Sequence, residues 1–587
     1  MKNRCTRAVC LLLALCVLSS CGAKADAPTV DVASASPTAA SAASPTSAPK
    51  ATPAPTATPS PTPEPTPMKE KPFPRHDHDD VHYDDMRWEL YDMTDFNLRA
   101  DALAASGTAA EAIEHYDWLM NEYARLSTYA TLAMIEFYAS GGKDQALAQS
   151  RQQLEDSLVD AGDKLYAAVS KALAGGAAKG FSAYLGEDLT EKMSGYETIS
   201  DRERELLSRE TELTLRYNEL VVRTDIGITA LNRMLGEILL EMVRIRNELA
   251  EINGYETYAQ YAYENTFGRD FTPEDAAALS EAIKPYARAY FRDNYYCSAF
   301  GRPLRDFSAG ELMDLLREYA PRISPKAAEA QRYMEDHGLY IIESAAVISS
   351  VGFTTVLPMY NAPILYDALI GTYDVTRVFH EFGHYCDAYW NPAPDLISES
   401  GSFDVFEIHS TSMEVLMLTW YDEIFGEEAD RARIFTLDRL LSDTVTGCLF
   451  DEFQQYVYAH PDMTVDELNQ AYYDIASSYG VKLYTRSARY SWMYVNHTFE
   501  YPFYYISYAV STLASLQVLS LSERDMNAAI ELYNRLIELG AYEKSYKEVL
   551  TEVGLKLFTE DLDGCVKDGF DELSALCDAY ELKAKAA

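Results

Sequence analysis

The chain is poor in cysteine, histidine and positive charge. Nine cysteines are spread over 587 residues. Cys5, Cys10 and Cys16 fall within residues 1–20, and Cys21 stands just after them. The other five, Cys297, Cys386, Cys448, Cys565 and Cys577, are far apart and odd in number, so no disulfide framework is indicated. Cys386 reads as a small buried hydrophobe. Only 50 lysines and arginines face 91 aspartates and glutamates, a formal net charge of −41. Such a chain is repelled by nucleic acid and by anionic lipid, which excludes both as partners. Long uncharged runs are also scarce. Residues 344–366, "SAAVISSVGFTTVLPMYNAPILY", are long enough to suggest a membrane span. Gly352, Pro358 and Pro363 divide them into short, partly β-branched pieces, which fit two or three strands of a small sheet better.

What is present is mostly helical pattern. From Met86 onward, stretches such as "LNRMLGEILLEMVRIRNELAEI" place apolar residues at three- and four-residue steps, with no internal repeat. Hydrophobic residues make up 48% of the chain, and its length exceeds what one core usually serves, so two lobes are expected.

The N-terminal end has a different composition. Lys2, Arg4 and Arg7 precede the apolar run "LLLALCVL", which is too short to span a bilayer, and then "LSSC". Residues 1–20 therefore read as a signal peptide. The "LSSC" stretch resembles the lipobox of bacterial lipoproteins, which implies cleavage before Cys21 and lipid on its sulfur. Residues 21–70 are then the lipidated Cys21 and a linker of Ala, Pro, Ser and Thr that cannot bury a core. The stretch "HDHDDVHYDD", with His76, His78 and His82, could bind metal but reads as a solvated charged edge.

Two of the ten histidines stand four residues apart in "RVFHEFGHYCDAYW". On a helix, His380 and His384 share a face and can bind one Zn2+. Glu381, turned about 100° from His380, can lie beside the metal as general base without being a ligand. A catalytic zinc needs a third protein ligand. The glycine and histidine of the metzincin pattern are absent, since Asp387 and Trp390 occupy those positions. Glu399, Asp404 and Glu407 are the candidates. Glu399 sits in the loop-like "SESGS", and Asp404 is the weaker option in the same stretch. Glu407 opens the helical "EIHSTSMEVLML", with Glu414 seven residues on and on the same face. Glu407 is the favoured ligand, Glu414 a supporting or packing residue, and His409 structural.

Three stretches together resemble the thimet oligopeptidase and oligoendopeptidase F family of zinc peptidases. They are "FHEFGH" (379–384), "FEIHSTSME" (406–414) and "HTFEYPFYYISYA" (497–509). "GTYDV", before the first of them, is also similar. The likeness spans residues 85–587 in overall pattern and is specific from about 355 to 510. The resemblance implies a mostly α, two-lobed, gluzincin-type zincin with a small β-sheet beside the zinc helix and a deep substrate channel. It also implies donors for the oxyanion, His497 with Tyr505 or Tyr508, the choice between the tyrosines staying open. His497, Tyr501, Tyr505 and Tyr508 lie at helical spacing, with Tyr504 on an adjoining face, although Pro502 disturbs any helix there. Ser507 departs from the family, whose bacterial members often have Asp.

The expectation is a zinc metalloendopeptidase with one Zn2+ per chain on His380, His384 and Glu407. It would cut short unfolded oligopeptides and be held by its lipid on the extracytoplasmic face of a bacterial membrane, with no protein partner inferred. The alternative is a lipid-anchored peptide-binding protein without hydrolysis. An intact Glu381 speaks against that, since capture alone needs no base.

Overall fold

The computed structural model describes residues 82–140, 144–194, 200–293, 297–301, 304–344, 352–369, 374–392, 401–542 and 544–586. Cys21, the signal peptide, His76, His78, Glu399 and most of "GTYDV" lie outside them. Helices of two turns or more run in the order α1 (Thr94–Ala104), α2 (Ala109–Ala139), α3 (Gln145–Ala174), α4 (Ala178–Leu185), α5 (Asp201–Val221), α6 (Ile228–Ile252), α7 (Pro273–Asp293), α8 (Ala309–Ile323) and α9 (Pro325–Asp336). Strands β1 (Tyr340–Ser344), β2 (Gly352–Leu357) and β3 (Ala362–Leu369) follow. Then come α10 (Asp374–Trp390), α11 (Phe403–Met417), α12 (Ala429–Ala459), α13 (Val465–Ser478), α14 (Ile506–Arg524), α15 (Met526–Glu538), α16 (Tyr546–Val553) and α17 (Leu562–Ala586).

Start signals in the sequence place several helices. Thr108, Ser200, Ser308 and Thr464 each accept a hydrogen bond from the backbone N–H of a glutamate three residues on, and that glutamate's side chain returns to the cap. This reciprocal arrangement satisfies two otherwise orphaned donors. Apolar periodicity then sorts the helices into two cores. Phe96, Leu119, Leu158 and Phe181 belong to a smaller core within α1–α4. A larger core reaches from Met86 to Cys577 and holds everything around the sheet. Helix α2 joins the two: Leu119 and Leu126 enter the first core, and Leu132 and Ile135 the second. The architecture is mostly α and two-lobed, as the pattern indicates.

The sheet has the order β1-β3-β2, with β1 parallel and β2 antiparallel to β3. Pro358–Tyr360 and Asn361, whose φ is 44°, turn the chain between β2 and β3. Of the two or three strands expected within 344–366, β2 and most of β3 lie there, while β1 precedes the stretch and shares only Ser344 with it. Two side chains dock α10 on the sheet. Thr354 Oγ1 of β2 donates to the Glu381 carbonyl at 2.8 Å, and Arg377 Nε donates to Asp367 Oδ1 of β3 at 2.5 Å. Among the described residues, no helix is long and apolar enough to cross a membrane. The five cysteines Cys297, Cys386, Cys448, Cys565 and Cys577 are buried free thiols.

Candidate metal centre

Helices α10 and α11 meet where neither carries bulk. A Cβ placed on Gly383 would lie 2.6 Å from Ser410 Cα and 2.8 Å from the His409 carbonyl oxygen. Only glycine allows this approach, and the approach is what lets the two helices share a ligand set. Behind α11, Thr411 and Ser412 hydroxyls meet Ser515 of α14 at 2.5 and 3.1 Å.

His380 and His384 present their rings at 4.9 Å, nearly perpendicular, on one face of α10. Glu407 faces them from α11. Its Oε2 lies 3.4 Å from His380 Nε2 and 3.8 Å from His384 Nε2. Ligands about 2.1 Å from a tetrahedral ion are about 3.4 Å apart, so the spacing suits one ion. Among the described residues, these three form the one group of His, Cys, Asp or Glu side chains gathered closely enough to hold a metal. All three are buried. Burial, with the charge of His409 adding, pushes His384 down to about 3, so the imidazole is neutral and has a lone pair to give.

The supporting contacts orient the ligands. His380 Nδ1 donates to Glu414 Oε1 at 2.7 Å, and Glu414 pairs with Arg439 of α12. The bond fixes the tautomer and directs Nε2 toward Glu407, where an unprotonated nitrogen facing a carboxylate oxygen calls for a cation between them. Glu407 Oε1 accepts from the Tyr504 hydroxyl at 2.8 Å, and Oε2 accepts from Ser410 Oγ at 3.1 Å. The donor set and its second layer fit a divalent metal that takes nitrogen and oxygen.

Glu381 is fully buried, and neither of its carboxylate oxygens has a hydrogen-bond partner. Burial, then the nearby charges of Asp367 and Glu407, raises its pKa well above the usual carboxylate range, opposed by Arg377. A carboxylate so placed holds a proton strongly, as a base requires.

The other candidates fall elsewhere. Asp404, buried, meets Arg269 Nε at 3.3 Å, and Arg269 Nη2 donates to Ser507 Oγ at 2.8 Å. The rings of Phe267 and Tyr263 face that guanidinium at 4.4 and 4.5 Å. Asp404 is therefore bound to an arginine and not to the ligand triad, and Ser507 takes part in the same contact. His409 points away from the triad: its Nε2 donates to the Leu536 carbonyl at 2.8 Å and its Nδ1 lies 3.5 Å from Asp387.

The aromatic stretch does not form one helix. His497–Glu500 is a single turn, and α14 begins only at Ile506. Between them stands Pro502, and Phe503 has φ 70°. The left-handed residue resets the helical phase. As a result Tyr504, placed by helical spacing on an adjoining face, is the tyrosine whose hydroxyl reaches Glu407. His497 is surrounded by rings: Tyr505 at 4.9 Å, Tyr504 at 5.1 Å, Tyr501 at 6.1 Å and Tyr508 at 6.3 Å. Burial pushes His497 down to about 3, so it is neutral. Sequence spacing points to neither Tyr504 nor Arg439 as a partner of the ligand set. Arg439 has no local signal, and the part played by Tyr504 is visible only once the break at Phe503 is known.

No protein-family model matches the sequence, and no curated protein matches it. Solved structures do. A chain assigned as an oligoendopeptidase F aligns with TM-score 0.71 and 22% identity, covering 85% of this chain and 99% of its own. PZ peptidase A, solved with an inhibitor, aligns with TM-score 0.69 and 21% identity over 84% of this chain and 99% of its own. A chain assigned as an oligoendopeptidase F from Bacillus anthracis str. Ames gives 0.67 and 20% over 85% and 98%. The sequence resemblance thus extends to the architecture: this chain has the oligoendopeptidase F fold.

Proposed function

We propose that the protein is a zinc metalloendopeptidase of the oligoendopeptidase F family that hydrolyses short, unfolded oligopeptides. The observation that carries this is the pairing of a buried two-histidine, one-carboxylate ligand set with an adjacent unbonded glutamate, in a chain of this fold. His380, His384 and Glu407 would hold one Zn2+ per chain, which when bound supplies a Lewis acid and lowers the pKa of water. Glu381 takes the proton of the attacking water and returns it to the leaving amine. The aromatic cluster of His497, Tyr505 and Tyr508 surrounds the substrate carbonyl, and phenolic hydroxyls are suitable donors to the oxyanion. Glu414 and Tyr504 orient the ligands and touch no substrate.

The lipobox-like "LSSC" and the linker after it support a lipid-anchored enzyme on the extracytoplasmic face of a bacterial membrane. Mass spectrometry of the mature chain should find lipid on Cys21, and an unmodified Cys21 would remove the anchor from the proposal.

The function is tested by comparing wild type with Glu381→Gln on a mixture of short peptides and one folded protein. Wild type should cut the peptides and spare the folded protein. The variant should keep its zinc and lose about two to four orders of magnitude in turnover. Peptides retained uncut by the zinc-loaded wild type would favour a peptide-binding protein instead.

A further inference from the structure

Glu500 is a half-buried carboxylate that the mechanism above does not use. It is met from two sides by amides. Asn218 of α5 donates to Oε1 at 2.9 Å, and Asn496 donates to Oε2 at 3.1 Å. The opposite end of the Asn496 amide, Oδ1, lies 2.9 Å from His497 Nδ1.

An ionised carboxylate only accepts hydrogen bonds. Glu500 therefore turns the NH2 group of Asn496 toward itself and the carbonyl oxygen toward the imidazole. That oxygen also only accepts, so His497 Nδ1 must carry the proton. A neutral imidazole has one N–H, which leaves Nε2 bare. Nε2 is buried and has no hydrogen-bond partner in the structure. We propose that Glu500, acting through Asn496, holds His497 as its Nδ1-protonated tautomer, so that His497 offers the site a hydrogen-bond acceptor at Nε2 and leaves donation to the oxyanion to the tyrosines. Glu500 and Asn496 are positioning residues. The proposal refines the role of His497 and rests on the peptidase reading only for its kinetic consequence.

The test reads the tautomer directly. In zinc-loaded full-length protein labelled with 15N-histidine, two-bond nitrogen–carbon-proton correlations distinguish a protonated ring nitrogen from a bare one. The signals absent from His497→Gln identify the residue. Wild type should show Nδ1 protonated and Nε2 bare. Glu500→Gln removes the acceptor that orients Asn496, and Asn496→Asp sets two carboxylates against each other, so each single variant should lose the pure tautomer. The double variant Glu500→Gln, Asn496→Asp restores the order. Its introduced amide donates to the introduced carboxylate, that carboxylate accepts from Nδ1–H of His497, and the oxygen of the introduced amide still accepts from Asn218. It should recover the wild-type tautomer. Turnover should follow, falling on the order of tenfold in each single variant with KM little changed, and returning in the double.

Nε2 protonated in wild type, or a double variant no better than the single ones in tautomer, overturns the proposal. A purely structural role would lower the melting temperature of the single variants without moving the tautomer, and that outcome also overturns it. Because the spectrum needs no substrate, a protein without peptidase activity would refute the proposed function and leave the tautomer result standing.

Discussion

Tyr504→Phe isolates one hydrogen bond at the metal centre. The Tyr504 hydroxyl donates to Glu407 Oε1 at 2.8 Å, and Tyr504 is only 2% exposed. Its ring packs against Phe267 and Phe403, both at 6.0 Å, and those contacts survive the change to phenylalanine. The variant therefore folds and loses only the bond. A hydrogen bond to a charged acceptor contributes about 1.5–3 kcal/mol. At about 1.4 kcal/mol per tenfold, complete loss of Glu407's orientation would weaken metal binding roughly 10- to 150-fold. Ser410 Oγ still holds the other oxygen at 3.1 Å, so part of the orientation remains. The expected loss is at the lower end, about 10- to 30-fold.

Zinc affinity is measured by equilibrium competition with a chromogenic chelator on apo-protein, beside Tyr505→Phe. Tyr505 has its ring against His497 at 4.9 Å, and its hydroxyl bonds to no ligand of the triad. Tyr505→Phe should keep wild-type affinity and lose turnover. If Tyr504→Phe binds zinc as wild type does, the hydroxyl does not orient Glu407 and the reasoning fails. If both variants lose zinc equally, the aromatic cluster acts on the site as a whole and the specific bond is not the cause.

Other perturbations test neighbouring contacts. Gly383→Ala should drive α10 and α11 apart, because its Cβ would meet backbone at 2.6 and 2.8 Å; overpacking of this kind costs about 1–3 kcal/mol, and zinc content should fall with the melting temperature. Arg269→Met leaves Asp404 charged and buried, which should destabilise by about 3–5 kcal/mol in denaturant titration, whereas Arg269→Met with Asp404→Leu should recover much of the loss; equal stability of the two variants would deny the pair. Glu572 of α17 is pushed up to about 8 by burial and by its hydrogen bond to Glu523 of α14, with Arg433 opposing. The folded state then binds a proton that the unfolded chain loses above its ordinary value near 4.5, so this contribution is present below about pH 4.5 and is lost as pH rises through 8. The melting temperature of Glu572→Gln should match wild type at pH 4.5 and exceed it at pH 8.5; a difference that does not grow with pH would refute the assignment.

Much of the metal centre was legible because its spacing is local. His380, Glu381 and His384 follow from one helical turn, and Glu407 with Glu414 from two turns of the next helix. The preference for Glu407 over Asp404 rested on that shared face, and the structure gives a second reason: Asp404 is committed to Arg269. Contacts between distant segments left no such trace. Arg269 reaches Asp404 across 135 positions, and nothing near either residue announces the pair. Arg439 reaches Glu414 from a helix whose own pattern is ordinary. The phase of Tyr504 was hidden for a different reason. Helical spacing assumes unbroken α-geometry, and a single residue at φ 70° after Pro502 rotates everything beyond it. Proline was a visible warning, but the sign of φ at Phe503 depends on its burial and on the bond its N–H makes to Gln454, and neither is written in the local sequence.

The charges around α10 and α11 add an argument for a cation that does not depend on ligand spacing. Six carboxyls there, of Asp367, Glu381, Asp387, Asp404, Glu407 and Glu414, are at most 1% exposed. Asp367 pairs with Arg377, Asp404 with Arg269 and Glu414 with Arg439, while Asp387 accepts from Asn391 Nδ2 and lies beside His409 Nδ1. Glu407 takes hydroxyls on both oxygens, from Tyr504 and Ser410, and hydroxyls screen a charge without cancelling it. The Glu381 carboxylate has no hydrogen bond and shares the field of Arg377 with Asp367. His384 adds nothing positive, since burial keeps it neutral. Burial and these neighbouring charges drive Glu381 toward its neutral form, so Glu407 is the carboxylate whose negative charge faces the two imidazoles, in a chain whose net charge is already −41. Uncompensated buried charge is costly enough to be eliminated or neutralised. A divalent ion on His380, His384 and Glu407 would offset that charge. Glu407→Gln should accordingly bind zinc more weakly yet raise the stability of the metal-free protein, because it removes a ligand and a buried negative charge in one step.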